Sequence, residues 1–175
     1  FEVFNQVLQK YPNDIDAHFG IAENELYNGK FTGAELEYIE ALKRQPMNRK
    51  ALLSLALVCA ETERFTQSEK YLRQALQYYS GEPEVHYLAS IINIMKGDLK
   101  NAEMQIRIAI EIKSDFEKAY ELLSQILYMQ ERYNDVIDIS DYLIGRDRNN
   151  SNAWYVKGIA QNKLGLKEES VNTWI

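Results

Sequence analysis

The chain has 175 residues and a formal net charge of −6, and it contains 12 tyrosines but few glycines (8) and prolines (3). With 46% apolar residues, this scarcity of helix breakers predicts a helical protein with a substantial core. The acidic balance argues against a nucleic-acid partner, which would require a clustered basic face. Cys59 is the only cysteine, which excludes an intrachain disulfide, and no apolar run is long enough for a transmembrane segment.

An apolar pattern of helical period opens the chain, and it returns along the sequence at intervals of 34 residues. VLQKYP at 7–12 aligns in this way with ALKRQP at 41–46, and FTGAELEYIEAL at 31–42 aligns with 65–76, 99–110 and 133–144. Turn signals at 28–30, 96–98 and 164–165 separate two helical patterns within a unit. We expect Asp14 and Asn150 to cap helices, and Ser114 with Glu117 to form a capping box.

The period and the pattern resemble the tetratricopeptide repeat, a helix-turn-helix unit of about 34 residues. The last unit matches the family most fully, at Trp154, Gly158, Gly165, Ser170 and Trp174. The resemblance implies an all-α fold, an α-solenoid of stacked antiparallel helix pairs in a right-handed tetratricopeptide-repeat superhelix. We predict one array over residues 1–175: the second helix of a preceding repeat at 1–12, whole repeats at 15–48, 49–82, 83–116 and 117–150, and a truncated repeat at 151–175.

The fourth repeat departs from the others in its second helix. The small–large–small order of the first repeat is inverted there, from Ala34, Tyr38 and Ala41 to Val136, Ser140 and Leu143. Because a large residue replaces each small one and a small residue replaces the large one, we expect the exchange to conserve the filling of the core.

In the family, the first helices of the repeats line a concave face, and function usually lies in side chains there that stacking does not consume. Once the packing positions are subtracted, the middle of this face is apolar and aromatic, with charge towards its rims. We predict a partner-binding groove made of Phe19, Glu23, Tyr27, Leu53, Leu57, Tyr87, Ile91, Ile94, Met95, Gln125, Tyr128, Met129, Tyr155 and Ile159. An amphipathic helix or an extended segment with aliphatic anchors would suit it. The alternative is that these side chains fold inward and thicken the core.

A well-known pocket of the family is a carboxylate clamp for the C-terminal tails of heat-shock chaperones. The clamp uses lysine and asparagine on first helices, with lysine and arginine in a later repeat. The matching positions here hold Phe19, Glu23, Ser54, Glu84 and Leu88 or, one repeat on, Leu53, Leu57, Leu88, Lys118 and Leu122. Only Lys118 fits, so we expect no chaperone-tail clamp.

No group of residues in the sequence predicts catalysis, a cofactor or a metal site. His18 and His86 occupy the same large packing position two repeats apart, about 20 Å from each other, so they cannot share a metal ion. We expect both to pack in the core and Cys59 to be a buried, inert thiol. The acidic ladders are interpreted as solvated faces: Asp135, Asp138 and Asp141, and Glu35, Glu37 and Glu40.

We therefore predict a non-enzymatic scaffold that binds a protein or peptide segment in the apolar groove. One alternative is a docking or regulatory arm of a larger enzyme or of an envelope-associated protein. Another is self-association through open array ends, at Phe1, Phe4, Val7 and Leu8 and at Val171 and Trp174. Because the chain lacks an initiator Met, we expect a fragment of a longer protein, acting in the cytoplasm or the periplasm, and the composition suggests a bacterial source.

Overall fold

The computed structural model describes residues 2–166, which form ten α-helices and no β-strand. The predicted all-α fold class is confirmed. Ser170, Val171 and Trp174, to which the sequence assigns repeat or end-stacking positions, lie outside the described residues, as does Phe1. The helices are α1 Glu2–Lys10, α2 Ile15–Tyr27, α3 Phe31–Arg44, α4 Arg49–Glu61, α5 Phe65–Tyr78, α6 Pro83–Met95, α7 Leu99–Ile112, α8 Glu117–Met129, α9 Tyr133–Arg146 and α10 Ser151–Lys163.

The chain forms two compact units, Phe1–Gly81 and Glu82–Ile175, here called unit 1 and unit 2. In unit 1, helix α2 packs on α3 and helix α4 packs on α5, as the helix pairs of two repeats. In unit 2, α6 packs on α7, and α9 packs on both α8 and α10. The single array over residues 1–175 and its repeat boundaries stay predictions.

Short polar side chains define several helix starts. Asp14 accepts a hydrogen bond from the backbone N of Ala17 at 2.8 Å, and Asn150 accepts one from Ala153 at 2.9 Å, so both predicted caps are confirmed. The predicted capping box of Ser114 and Glu117 is wrong, because Phe116 is the N-cap of α8 and no side chain caps that helix. The chain turns into α8 two residues later than the sequence spacing implies.

Five helix ends share one turn geometry at equivalent positions of successive repeats. The second residue after the helix has a positive φ, and the backbone N of the next residue donates to a carbonyl five residues earlier, at 2.8 to 3.0 Å. Glycine and glutamate alternate at this position: Gly29 (φ 71°), Glu63 (59°), Gly97 (81°), Glu131 (61°) and Gly165 (78°). The alternation therefore has a period of two repeats.

Small residues let the two helices of a repeat approach each other. Ala34 in α3 and Ala102 in α7 are fully buried, and the large side chains of Tyr38 and Ile106 fill the core one turn further along these helices. In α5 the equivalent small residue is Ser68, whose buried hydroxyl donates to the carbonyl of Ala56 at 2.6 Å. The small–large pattern of the sequence thus corresponds to close helix contact.

The inverted order of the fourth repeat does not fill its core. A cavity of about 20 Å³ lies between α8, α9 and α10, and its lining includes Ser140, Leu143, Ser124 and Val156. Ser140 stands where the earlier repeats place Tyr38, Leu72 and Ile106. The expected compensation of volumes is therefore incomplete, because a small space remains between Ser140 and Leu143.

Candidate partner-binding surface

In unit 1, an ion pair covers part of the predicted groove face. Phe19 is only 6% exposed, and its ring centroid lies 5.9 Å from that of Tyr38. Lys50 Nζ lies 4.6 Å from the Phe19 centroid and 2.6 Å from Glu23 Oε1. Phe19 therefore belongs to the core of unit 1, and the charge on Lys50 is neutralised within the unit.

The other predicted groove residues of unit 1 differ widely in exposure. Tyr27 is 90% exposed at the end of α2, whereas Leu53 and Leu57 on α4 are half-buried. The pocket of about 400 Å³ in this unit does not include any of these residues, because it lies at the turn around Pro46 and at Tyr79. The predicted groove residues of unit 1 therefore do not line this pocket together.

In unit 2, the predicted residues of α6 are shared between core and surface. Tyr87, Ile91 and Ile94 are half-buried and pack against the core of the unit. The rings of Tyr87 and Phe116 lie 5.4 Å apart. These three side chains therefore contribute to the core as well as to the surface, which agrees in part with the alternative interpretation. Met95 is also half-buried.

An apolar pocket between helices α8 and α10 brings together four of the fourteen predicted groove residues. This α8–α10 pocket has a volume of about 390 Å³ and is lined by Gln125, Tyr128, Met129, Val156 and Ile159. Four of these five residues are in the predicted set, and Val156 is the one that was missed. Its spacing of three residues from Ile159 is a helical signal that could have identified it.

The exposed side chains of the α8–α10 pocket are Gln125 and Met129, and Met129 is 51% exposed. Tyr128 is held by an edge-on ring contact with Tyr133, at 5.4 Å between centroids. Tyr155, in the predicted set, is 52% exposed on α10. The pocket therefore presents an adaptable thioether and an amide on a wall of fixed apolar side chains.

Lys118 lies in the first turn of α8 and is exposed, and within residues 2–166 it makes no hydrogen bond or ion pair. Its equivalent two repeats earlier is Lys50, which pairs with Glu23. The residue that stands two repeats after Glu23 is Ile91. Unit 2 thus keeps the cation of unit 1 but lacks its carboxylate.

Both histidines are buried in contact with the second helix of their own repeat. His18 Nδ1 lies 2.6 Å from Glu37 Oε2, and His86 Nδ1 lies 2.8 Å from Gln105 Oε1. Glu37 and Gln105 also occupy equivalent positions two repeats apart. The expectation of a solvated face is wrong for Glu37 and for Glu35, whose side chain pairs with Arg64 at 2.7 Å. These carboxylates take part in packing the repeats.

The position of the histidines has a second role in the fold. Its side chain contacts the backbone carbonyl six residues earlier: His18 Nε2 lies 3.3 Å from Pro12 O, the Tyr120 hydroxyl donates to Ser114 O at 3.2 Å, and Trp154 Nε1 donates to Arg148 O at 3.0 Å. A ring with a polar atom therefore ties each of these first helices to the turn that precedes it.

The single cysteine lies in the core rather than at a reactive site. Cys59 is fully buried, and this burial raises the pKa of its thiol, which disfavours the reactive thiolate. Across residues 2–166, no three His, Cys, Asp or Glu side chains cluster as metal ligands would. Nor does any helix in that range have the length and apolar character needed to cross a membrane.

Comparisons with known proteins support the repeat assignment. Residues 19–83 match the tetratricopeptide-repeat family model, and no curated protein sequence matches the chain. Among solved structures, MamA has a TM-score of 0.75 at 21% identity, covering 91% of this chain and 87% of its own. YrrB, a tetratricopeptide-repeat protein with an unusual peptide-binding site, has a TM-score of 0.69 at 14% identity, covering 97% and 88%.

A third similar structure is part of an enzyme. The O-GlcNAc transferase of Thermobaculum terrenum has a TM-score of 0.65 at 21% identity, over 75% of this chain and 26% of that protein. At these identities the structural likenesses establish the fold. The family match covers residues 19–83, and over most of its length the chain resembles solved structures with the tetratricopeptide-repeat fold. This fold serves as a scaffold for protein interactions, which implies protein or peptide partners.

Proposed function

We propose that this protein is a non-enzymatic interaction scaffold whose main contact with a partner is the α8–α10 pocket of unit 2. The observation that carries the proposal is the pocket itself, because about 390 Å³ of apolar space lies among five uncharged residues. A volume of this size accommodates apolar side chains of a peptide. The peptide-binding site of YrrB supports the proposal, since that protein has the same fold.

We propose that the most accessible residues of the predicted groove make the contact with the partner. Met129 and Tyr155 are each about half exposed, at 51% and 52%, whereas Phe19 lies in the core of unit 1. Tyr87, Ile91 and Ile94 would act as the supporting wall, because packing already restrains them. We propose no chaperone-tail clamp, because of its basic positions the chain supplies only Lys118.

The test begins with a displayed peptide library selected on the immobilised protein. The affinities of enriched peptides are then measured by fluorescence anisotropy for the wild type and for Met129→Asn. We expect enriched peptides to carry paired apolar residues at helical spacing, and Met129→Asn to weaken their binding by at least about fivefold, as for an interface hot spot.

Met104→Asn is the matched control, because Met104 is 50% exposed and lies on α7, outside the pocket. This variant should leave the affinities unchanged. Enriched peptides that bind Met129→Asn as tightly as the wild type would refute the pocket assignment, provided that circular dichroism shows both variants to be folded.

The docking-arm alternative gains one observation, the likeness to a quarter of the O-GlcNAc transferase chain. Under that alternative the pocket would bind a substrate protein or a regulator of an attached catalytic domain. The full-length sequence distinguishes the two, since a catalytic motif outside these residues favours the docking arm.

Self-association stays a second alternative, based on the apolar residues of α1. Val3 is 68% exposed, and the Phe4 ring lies against Gly20 of α2. Light scattering over a concentration series tests it, because a purely monomeric signal at the highest concentration would exclude end-to-end stacking.

A further inference from the structure

We propose that the partner segment is a helix carrying a side-chain carboxylate two to three turns before its apolar anchors, with the carboxylate on Lys118 and the anchors in the α8–α10 pocket. This inference rests on the proposed function and adds the charge and the spacing of the ligand. It is based on the difference in ion pairing between two equivalent lysines, Lys50 and Lys118.

Unit 1 shows how this position is neutralised within the protein. Lys50 pairs with Glu23 at 2.6 Å and lies over the Phe19 ring. In unit 2 the equivalent of Phe19 is Tyr87, again aromatic, but the equivalent of Glu23 is Ile91. A ligand carboxylate at Lys118 would therefore supply the group that unit 1 provides for itself.

The neighbouring carboxylates of α8 are occupied elsewhere. Glu117 Oε1 accepts a hydrogen bond from Asn150 at 2.9 Å, and Glu121 Oε1 accepts one from Asn152 at 3.3 Å. Both acids are thus engaged with the side of α10. Lys118 also lies at the helix N-terminus, where the backbone N–H groups add positive potential.

The spacing follows from the geometry of α8. Gln125 and Met129 line the pocket seven and eleven residues after Lys118, which corresponds to about 10 and 16 Å along the helix axis. A ligand helix lying along α8 presents its residues i, i+7 and i+11 on one face. We therefore expect an acidic residue at i and aliphatic residues at i+7 and i+11.

The probe is a fluorescein-labelled peptide of about 18 residues, amidated at its C-terminus, with Glu at i and Leu at i+7 and i+11. A second peptide has Gln at i, and a third has Glu moved to the opposite face of the helix. Amidation ensures that the acid under test is the side chain. Dissociation constants are measured by anisotropy at low and at high salt.

We expect the peptide with Glu at i to bind about two- to fivefold more tightly than either control at low salt, as for an exposed ion pair. In Lys118→Gln this preference should vanish. Lys100→Gln, which changes an exposed lysine in the first turn of α7, should retain it. Ile91→Glu should also abolish the preference, because it introduces the carboxylate found in unit 1.

The outcomes separate this inference from the proposed function. Equal binding of all three peptides, still weakened by Met129→Asn, would overturn the carboxylate assignment and leave the pocket assignment intact. Binding that ignores Met129→Asn would overturn both. A preference for Glu that survives in Lys118→Gln would place the carboxylate on another residue and refute the proposal.

A second inference comes from the cavity of about 20 Å³ in the fourth repeat, and we propose that it holds one ordered water molecule. Ser124 lines the cavity, is only 4% exposed, and its hydroxyl has no hydrogen-bond partner within residues 2–166. A cavity holds a water when its volume exceeds roughly 10–15 Å³ and polar groups line it. Ser140 meets the second condition, because its hydroxyl donates to Val136 O at 2.8 Å and can still accept.

High-resolution crystallography of the wild type and of Ser140→Val tests the water. We expect density within hydrogen-bond distance of Ser124 Oγ in the wild type and none in Ser140→Val, whose added methyl group fills the space. Should Ser140→Val fail to fold, Ser124→Ala tests the same point, because it removes the hydroxyl that holds the water. An empty cavity in the wild type at that resolution would overturn the inference.

Discussion

Unit 1 and unit 2 share one framework, which recurs after every second repeat. Arg64 binds Glu35 through two guanidinium nitrogens at 3.0 and 2.7 Å, and Arg132 binds Glu103 at 2.8 Å. The histidine contacts and the alternating glycine and glutamate turns recur at the same interval. The groups that hold helices together thus obey a period of two repeats.

The groove faces of the two units do not repeat. Unit 1 has a buried Phe19 beneath the Lys50–Glu23 pair, whereas unit 2 has an unpaired Lys118 and an apolar pocket among its described residues. Residues that hold the helices together recur, because the helices of each repeat pack against each other in the same way. The exposed side chains of the predicted groove face take no part in this packing, so they can differ between the units.

The largest expected effect is in the core, where the two units should behave alike. Tyr38→Ala and Ile106→Ala each remove a fully buried side chain at the same repeat position, and each should lower the free energy of unfolding by about 2–5 kcal/mol. Ser140→Ala, at the equivalent position of the fourth repeat, should cost about 1 kcal/mol or less. Urea denaturation checks this, and similar losses for all three variants would contradict the account of the cavity.

A smaller effect is expected at Glu103, in acid. Burial acts to raise the pKa of its carboxyl, but hydrogen bonds from Arg107 and Arg132 outweigh it and hold the pKa below the ordinary value of 4.5. A lowered pKa in the folded state stabilises the protein above pH 4.5, and this stabilisation is lost as the pH falls through the folded-state value.

The measurement for Glu103 is urea denaturation of the wild type and of Glu103→Gln from about pH 7 down to about pH 2. The wild type should be the more stable at neutral pH, and the difference should shrink below pH 4.5. A difference that is independent of pH would show that the carboxylate charge has no role.

The turns should respond with opposite signs to matched substitutions. Glu63→Gly and Glu131→Gly relieve a side chain at positive φ and should stabilise the protein by up to about 1 kcal/mol each, whereas Gly97→Ala should destabilise it by about 1 kcal/mol. No atom approaches within 4 Å of a Cβ built at Gly97, so the loss would report backbone strain alone. Thermal unfolding checks the signs, and equal shifts in one direction would be inconsistent with this origin.

The smallest stability effect is expected on the groove faces. Glu23→Gln should cost about 0.2–1 kcal/mol, and the loss should disappear in high salt, because Glu23 and Lys50 are both more than half exposed. Lys118→Gln should leave the free energy of unfolding unchanged, since Lys118 has no partner to lose within residues 2–166. A larger loss for Lys118→Gln than for Glu23→Gln would contradict the contrast between the units.

Local patterns in the sequence were enough to predict the helices. Apolar positions at helical spacing, few breakers and the regular repeat period place two helices in each repeat. The caps at Asp14 and Asn150 were also predictable, because a cap depends on residues only three positions apart. Ser114 has the same spacing but does not cap a helix, because α8 begins two residues later, after its N-cap Phe116.

Contacts between helices were beyond such patterns. The sequence placed four residues of the α8–α10 pocket on one face, but Val156 and the pocket volume depend on how α8 and α10 approach each other. Two equivalent lysines likewise differ in their ion pairing. Lys50 pairs with Glu23 on another helix, whereas Lys118 has no such partner within residues 2–166, and a pattern along one helix does not reveal this difference.

The sequence by itself thus determines the repeat period, the helices, and which packing positions are small or large. Each of these depends only on residue spacing along one or two helices. Tertiary structure alone decided that Phe19 is buried, that Ser140 leaves a cavity, and that an apolar pocket and a lysine unpaired within residues 2–166 occur in unit 2. These features depend on distances between side chains from different helices, and a spacing rule for one helix carries no information about such distances.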